Sequence, residues 1–150
     1  MEIKQSLEHS EFLTETKDGM DIAVCAINTT THVAQFSGAF NNLYLIRNKE
    51  MVVYKGDHQP IGVFDEEKEF VNHEFTLQKN DTIYMFTDGY VDQFGGEYGR
   101  KFLIRNFKQL LLEIAHLPMT EQKDILENTL DKWKQGYSQI DDILILGFKI

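Results

Sequence analysis

The spacing of hydrophobic residues divides the chain into an earlier part that is typical of strands and a later part that is typical of helices. Six short apolar runs bounded by turn residues predict β-strands at 22–27, 32–36, 43–47, 51–54, 71–77 and 82–87. The first four predict an antiparallel meander. The last is apolar at nearly every position, which is typical of a strand that is covered on both faces.

Apolar residues at helical spacing follow the sixth run. They predict one helix over 103–114 and, after Pro118, a second helix with Thr120 as its N-cap and an apolar stripe at 125–133. Gly136 is the predicted end of this second helix.

Two further elements complete the pattern. Apolar positions at 3–13 predict a helix near the start of the chain, and 143–150 predicts a closing strand. Strands followed by two helices and a last strand predict an α+β fold, in which helices are layered on largely antiparallel β-sheets. We find no repeat and no linker, so the 150 residues are expected to form one domain.

Composition and charge exclude several classes of function. The formal net charge of −9 would repel nucleic acid and anionic membranes, so neither is expected as a partner. Cys25 lies in an apolar run, which predicts a buried, inert thiol. Because the sequence shows neither a signal peptide nor a run of some 18 apolar residues, we expect a cytoplasmic protein that makes no membrane contact.

The first candidate for chemistry is Asp88, in the sequence MFTDGYVD at 85–92. A carboxylate at the end of a buried strand is held rigidly, and the glycine after it permits a tight turn that leaves the carboxylate open to a ligand. Such a position suits a hard metal ion. Asp-Gly is also a common turn dipeptide, and on this segment alone the two interpretations stand about equal.

The second candidate is the pair Asp141 and Asp142 at the start of the closing strand. Neighbouring residues on a strand point to opposite faces, so only one of the two can face a given site. Taken alone, the pair is more typical of a solvated turn at the strand entry.

Together with two earlier segments, these motifs resemble the C-terminal third of the SpoIIE and RsbU-like phosphatases, which are PPM-type serine/threonine protein phosphatases. FSGAFNNLYL at 36–45 is similar to the family's Ala-Gly-His-Asn-Pro turn with its two strands, and PIGV at 60–63 is similar to its Pro-Leu-Gly motif. TDGYVD at 87–92 and DDIL at 141–144 follow in the family's order. The resemblance begins near Asp18 and continues to the end of the chain.

The resemblance implies a fold, a cofactor and a reaction. The fold is the family's α-β-β-α sandwich, with its N-terminal part missing, so that 1–150 is a partial PPM-type domain. In the intact family domain, two Mg²⁺ or Mn²⁺ ions held by aspartates activate a water that attacks phosphoserine or phosphothreonine. By motif, Asp88 and Asp141 are the implied metal ligands, with Asp142 as the alternative, and at most one weak metal site is expected here.

The departures from the family pattern leave two functions open. The family's Gly-Asp-Phe-Tyr and Gly-His-Gly motifs have no counterpart, and Phe40 stands where many relatives have histidine. One hypothesis is therefore a metal-dependent phosphatase of bacterial signalling, present as an inactive fragment, with a phosphoprotein substrate such as an anti-sigma-factor antagonist. The alternative is a non-catalytic, phosphatase-like module that binds a regulatory partner.

An incomplete sheet has a further implication for assembly. If the first strands of the family fold are absent, one strand edge is left open, and such edges pair with another chain. We therefore predict a homodimer formed through strand pairing.

Overall fold

The computed structural model describes residues 19–62 and 68–150. The helix predicted at 3–13 lies outside these residues, as do Asp18 and the last residue of the PIGV motif. The described residues separate into two compact units, one from 19–43, 54–62 and 68–77 and the other from 44–53 and 78–150.

The strands and helices are numbered in chain order. The strands are β1 (Gly19–Met20), β2 (Ile22–Ile27), β3 (Val33–Ala39), β4 (Leu43–Arg47), β5 (Glu50–Tyr54), β6 (Ile61–Gly62), β7 (His73–Thr76), β8 (Thr82–Phe86), β9 (Phe94–Gly95), β10 (Arg100–Lys101) and β11 (Ile145–Lys149). The helices are α1 (Gly89–Asp92), α2 (Ile104–Ile114) and α3 (Met119–Trp133). Within the described residues, none of these helices combines the length and apolar composition that a membrane span requires.

The first unit is built on a three-stranded antiparallel sheet in the order β2-β3-β7. Phe36 lies in its central strand and is fully buried, because β2 and β7 flank it and the ring of His73 stacks on it. A shorter antiparallel pair, β1 with β6, belongs to the same unit. Cys25, which the sequence predicts to be buried, is only partly buried in β2, and this burial still raises the pKa of its thiol.

The second unit carries a four-stranded sheet in the order β11-β8-β4-β5, with α2 and α3 in the same unit. One face of this sheet packs on the helices. The hydrophobic core of this unit is formed by aromatic and aliphatic side chains. The fully buried residues of this core include Tyr44, Tyr84, Tyr90, Phe107 and Leu111. The amphipathic pattern of α2 places Phe107, Leu111 and Ile114 in this core, as the helical spacing predicts.

The predicted α+β class is confirmed, although the sequence predicts the wrong partners for some strands. The four predicted strands do not form one meander, because β3 pairs with β2 and β7, whereas β4 and β5 lie in the other sheet. The second helix begins at Met119 with Pro118 in the N-cap position, so Thr120 is not its cap. Proline needs no N–H partner at a helix start, which allows the helix to begin before the predicted residue.

Candidate functional site

The C-terminal end of β8 and the N-terminal end of β11 lie side by side. The two strands pair antiparallel, with Ile145 opposite Phe86. One step further along, the backbone N–H of Thr87 donates to the carbonyl oxygen of Leu144 at 3.0 Å. The ladder therefore brings the segment that carries Asp88 next to the segment that carries Asp141 and Asp142, although they are far apart in the sequence.

The Thr87 side chain fastens these two segments together. Its hydroxyl donates to the carbonyl oxygen of Asp142 at 2.9 Å and accepts from the backbone N–H of Leu144 at 3.0 Å. One hydroxyl thus satisfies two backbone groups that the end of the ladder would otherwise leave open. Sequence reasoning did not assign Thr87 a role, since a threonine at the end of a strand gives no signal of its own.

Gly89 is required for a different reason from the one that the sequence predicts. It does not form a tight turn, because it is the first residue of the short helix α1. A Cβ atom at this position would lie 2.4 Å from the carbonyl oxygen of Asp142, far inside van der Waals contact. Glycine therefore allows the backbone of the β11 segment to lie directly against the start of α1.

The three candidate carboxylates are all exposed to solvent. Asp88 occupies the N-cap position of α1, yet its side chain makes no capping hydrogen bond to that helix. One carboxylate oxygen of Asp141 accepts from the backbone N–H of Asp142 at 2.7 Å. The carboxylates of Asp88 and Asp142 and the second oxygen of Asp141 thus face solvent, where a cation can approach them.

Two other side chains of the types that bind metals, Asp92 and His73, make structural contacts. Asp92, the last acidic residue of the TDGYVD motif, pairs with Lys101 at 2.7 Å and ties α1 to β10. The His73 ring packs on Phe36, and its Nε2 lies 2.9 Å from the carbonyl oxygen of Lys55. Across 19–62 and 68–150, no group of three or more His, Cys, Asp or Glu side chains is arranged to hold a metal ion.

The segment that is similar to the family's Ala-Gly-His-Asn-Pro turn forms a tight turn in the first unit. Phe40 has a left-handed backbone with φ of 58°, and its N–H donates to the carbonyl oxygen of Asp57 at 2.9 Å. The Asn42 side chain accepts from the N–H of Gly56 at 2.9 Å. The Phe40 backbone and the Asn42 side chain therefore hold the turn against the 56–57 segment, and neither hydrogen bond uses the Phe40 side chain.

The contact at Gly89 leads to a direct prediction. We expect Gly89→Ala to lower the free energy of unfolding by about 1–3 kcal/mol, because the new methyl group forces the Asp142 backbone away from α1. Urea unfolding checks this value. Gly136→Ala is the matched control, because a Cβ at Gly136 has no neighbour within 4 Å, although its φ of 79° adds a backbone strain of its own. A Gly89→Ala variant no less stable than the Gly136→Ala variant would contradict the prediction.

Comparison with known proteins gives one family and a set of similar structures. Residues 3–150 match the family described as Stage II sporulation protein E (SpoIIE). The SiaA-PP2C domain of Pseudomonas aeruginosa is 32% identical with a TM-score of 0.80, and the match covers 87% of this chain and 51% of that domain. No curated protein sequence matches the chain.

Two more distant structures show the same fold. The phosphatase domain of the cell fate determinant SpoIIE from Bacillus subtilis, presoaked with Mn, is 15% identical with a TM-score of 0.61, covering 87% of this chain and 56% of that one. The serine/threonine phosphatase of S. agalactiae is also 15% identical, with a TM-score of 0.56, covering 85% and 58%. The chain thus spans about half the length of the solved phosphatases that it matches.

Proposed function

We propose that this chain, which belongs to the SpoIIE family of phosphatase domains, is the Asp88- and Asp141-bearing part of a metal-dependent protein serine/threonine phosphatase domain. One observation carries the proposal. The β8–β11 ladder and the Thr87 hydroxyl fasten the two aspartate-bearing segments together at one end of the sheet. An enzyme that needs two carboxylates from distant parts of its sequence requires this kind of arrangement.

The carboxylates of Asp88 and Asp141 are ligands of the type that Mg²⁺ and Mn²⁺ prefer, but they are too few to bind either ion tightly. Carboxylate oxygens and water are the ligands that these hard ions prefer, and Asp88 and Asp141 supply two exposed carboxylates. Asp142 is the alternative to Asp141. When bound in a complete two-ion site, such ions lower the pKa of a bound water and neutralise the charge of a phosphoryl group. The described residues supply too few donors for that arrangement, and we propose at most one weakly held ion in this chain.

We propose the substrate and the cellular location by analogy with the family. The substrate that we propose is a phosphoserine- or phosphothreonine-bearing protein of bacterial signalling, such as an anti-sigma-factor antagonist, and the proposed location is the cytoplasm. With a formal net charge of −9, the chain is poorly suited to a polyanionic partner such as nucleic acid.

Two observations favour a second function. No metal-binding group of three or more side chains is present in the described residues, and the chain covers only 51% of the SiaA-PP2C domain. Both facts suit a phosphatase-like module that binds a regulatory partner without catalysing hydrolysis. Metal binding separates the two functions, because the partner-binding module needs none.

Mn²⁺ binding, measured by water-proton relaxation, is the experiment that tests the metal site. We expect weak binding that Asp88→Asn and Asp141→Asn each reduce several-fold, because each removes a charged ligand. Asp124→Asn is the matched control, since it removes the same charge from the exposed surface of α3. Loss of binding in Asp142→Asn and not in Asp141→Asn would move the second ligand to Asp142. An Asp88→Asn variant indistinguishable from Asp124→Asn would reject the site.

A further inference from the structure

The segment that joins the β9–β10 pair to α2 is positively charged in an otherwise acidic chain. Residues 98–112 contain four basic residues and no acidic one, whereas the whole chain has 24 acidic and 15 basic residues. Arg100, Lys101 and Arg105 are exposed to solvent. Within 19–62 and 68–150, neither Arg100 nor Arg105 forms an ion pair. Two guanidinium groups, whose planar N–H donors fit a carboxylate, are therefore open to an anionic partner.

Exposed apolar side chains accompany these arginines in the same segment. Leu103 and Ile104 lie between Arg100 and Arg105 in the sequence and are 42% and 41% exposed, and Tyr98 is 75% exposed. The Arg100 guanidinium carbon lies 5.7 Å from the centre of the Tyr98 ring. We call residues 98–105 the basic-apolar strip. Arginine and tyrosine are enriched at protein interfaces, so this composition suits a partner that offers both carboxylates and apolar side chains.

Leu103 has a strained backbone that its own burial does not explain. Its φ is 74° and its ψ is 142°, a conformation that glycine adopts readily and other residues adopt only at a cost. The conformation is held in place, because the N–H of Leu103 donates to the carbonyl oxygen of Val91 at 2.8 Å. Since much of this leucine is exposed, burial offsets only part of the cost. Strained residues concentrate at binding and catalytic sites, which indicates that the side chain contacts a partner.

The basic-apolar strip lies along α1, the short helix that follows Asp88. Besides the Leu103 contact with Val91, the Lys101 amine pairs with the Asp92 carboxylate at 2.7 Å. Asp92 in turn donates its backbone N–H to the carbonyl oxygen of Asp88 at 2.9 Å, so one helical turn of about 5.4 Å separates the two aspartates. An extended segment advances about 3.3 Å per residue, so residues a few positions from a group bound at Asp88 can reach the strip.

We propose that the basic-apolar strip docks an acidic segment of a protein partner. Carboxylates of this segment pair with Arg100 and Arg105, and its apolar side chains cover Leu103 and Ile104. The proposal rests on the proposed function only in making this partner the phosphoprotein whose phosphorylated residue approaches Asp88.

The net charge of the chain decides between two classes of anionic partner. Salt screens charges that lie farther apart than about 10 Å, so the nearby arginines govern the contact with a short acidic segment, although the chain as a whole carries −9. A nucleic acid is a longer polyanion that would extend over the acidic surface around the strip, where it is repelled. An acidic protein segment is therefore the occupant that the charges favour.

Peptide binding to the 150-residue chain, measured by fluorescence anisotropy in EDTA, tests the strip without any contribution from metal. The probe is a short labelled peptide of glutamate, leucine and glycine residues, and its control has glutamine in place of every glutamate. We expect the affinity for the glutamate peptide to fall by about tenfold when NaCl is raised from about 0.05 M to about 0.5 M. The glutamine peptide should bind at least about tenfold more weakly than the glutamate peptide at low salt.

Charge reversal locates the contact on the strip. The double variant Arg100→Glu with Arg105→Glu should weaken binding of the glutamate peptide by at least about tenfold, because it replaces both attractive charges by repulsive ones. Lys79→Glu with Lys132→Glu is the matched control, since it changes the net charge equally at exposed positions outside the strip. This control should weaken binding by less than about twofold, as expected for charges beyond the screening length.

Leu103→Gly separates binding from folding. Glycine relieves the strained backbone and removes the exposed side chain, so the urea midpoint should stay the same or rise while peptide binding weakens by about threefold or more. Val52→Gly is the control, because it removes an apolar side chain of similar exposure, 45%, from β5. It should show the opposite pattern, with a lower urea midpoint and unchanged peptide binding, since glycine weakens a strand.

The remaining outcomes would overturn the proposal. Equal binding of the glutamate and glutamine peptides, or equal effects of the arginine and lysine reversals, would show that the strip does not recognise carboxylates. A lower urea midpoint in Leu103→Gly would make this leucine part of the core. Self-association of the chain that the arginine reversals abolish would make a second copy the occupant, and tighter binding of a single-stranded oligonucleotide would make it a nucleic acid.

The docking surface and the proposed function fail in different measurements. Mn²⁺ binding without peptide binding would reject the docking surface and leave the metal site in place. Peptide binding without Mn²⁺ binding would reject the metal site and support the docking surface.

Discussion

With Mn²⁺ present, the 150-residue chain alone should hydrolyse p-nitrophenyl phosphate or a phosphoserine peptide at little more than the background rate. Asp88 and Asp141 supply two carboxylates, and the described residues add no third metal-binding group. An in-line displacement at phosphorus is stabilised by a pair of ions that clamp the attacking and leaving oxygens. A single weakly held ion lacks that clamp, so the isolated chain should be nearly inactive in a steady-state assay.

Completing the domain should restore the activity. When the chain is combined with the half of the SiaA-PP2C domain that it does not match, we expect Mn²⁺-dependent turnover that Asp88→Asn lowers by about 100-fold or more, with the fold retained by circular dichroism. Asp124→Asn, on the exposed surface of α3, should leave the rate unchanged. Robust turnover by the 150-residue chain alone, insensitive to Asp88→Asn, would mean that the chemistry lies at other residues.

Replacing Asp81 should have the largest effect on stability. Its side chain is 1% exposed and binds the Arg47 guanidinium through two contacts, Nε to Oδ1 at 2.8 Å and Nη2 to Oδ2 at 2.6 Å. Oδ2 also accepts from the backbone N–H of Gln78 at 2.7 Å. Because Arg47, whose side chain is 29% exposed, loses its partner and the backbone N–H of Gln78 loses its acceptor, we expect Asp81→Ala to lower the free energy of unfolding by about 2–4 kcal/mol.

Urea unfolding provides the measurement, and an exposed ion pair in the same unit provides the control. Lys123 and Glu127 lie 3.6 Å apart on the surface of α3, with side chains 72% and 62% exposed. Exposed pairs of this kind contribute about 0–1 kcal/mol, so Glu127→Ala should be nearly neutral. Equal effects of Asp81→Ala and Glu127→Ala would show that the Asp81 pair is not a structural anchor between β4 and the start of β8.

The local pattern of apolar and turn residues predicted the positions of the strands and helices well, but it did not predict which strands pair with one another. Strands β2 and β4 have the predicted bounds, and α2 begins within one residue of its prediction, because apolar spacing and turn residues are properties of short segments. Assigning β3 to β7 and β4 to the other sheet depends on long-range packing that no local pattern contains. The small pair β9–β10 was also missed, since GGEYGR at 95–100 is typical of an irregular loop.

In the candidate site too, the sequence predicted the features that depend on local residues and missed those that depend on long-range packing. Asp88 was a candidate because it ends an apolar run, whereas its assignment with Asp141 as a metal ligand rests on the resemblance to the family's motifs, and the structure brings the two segments together. The distance between their carboxylates stays a prediction. Thr87 and the tight contact at Gly89 could not be derived, because both depend on the position of the Asp142 backbone, which comes from the far end of the chain.

The position of Trp133 gives the protein an optical probe of one particular contact. Its indole N–H donates to the carbonyl oxygen of Gln93 at 3.0 Å, and its own carbonyl oxygen accepts from Gly96 at 2.8 Å, so the end of α3 holds the start of the β9–β10 pair. It is the chain's single tryptophan. With selective excitation of tryptophan, the emission therefore has one source, and a shift that precedes the loss of circular dichroism during unfolding would mark the release of Trp133 from its surroundings, which include the Phe102 ring.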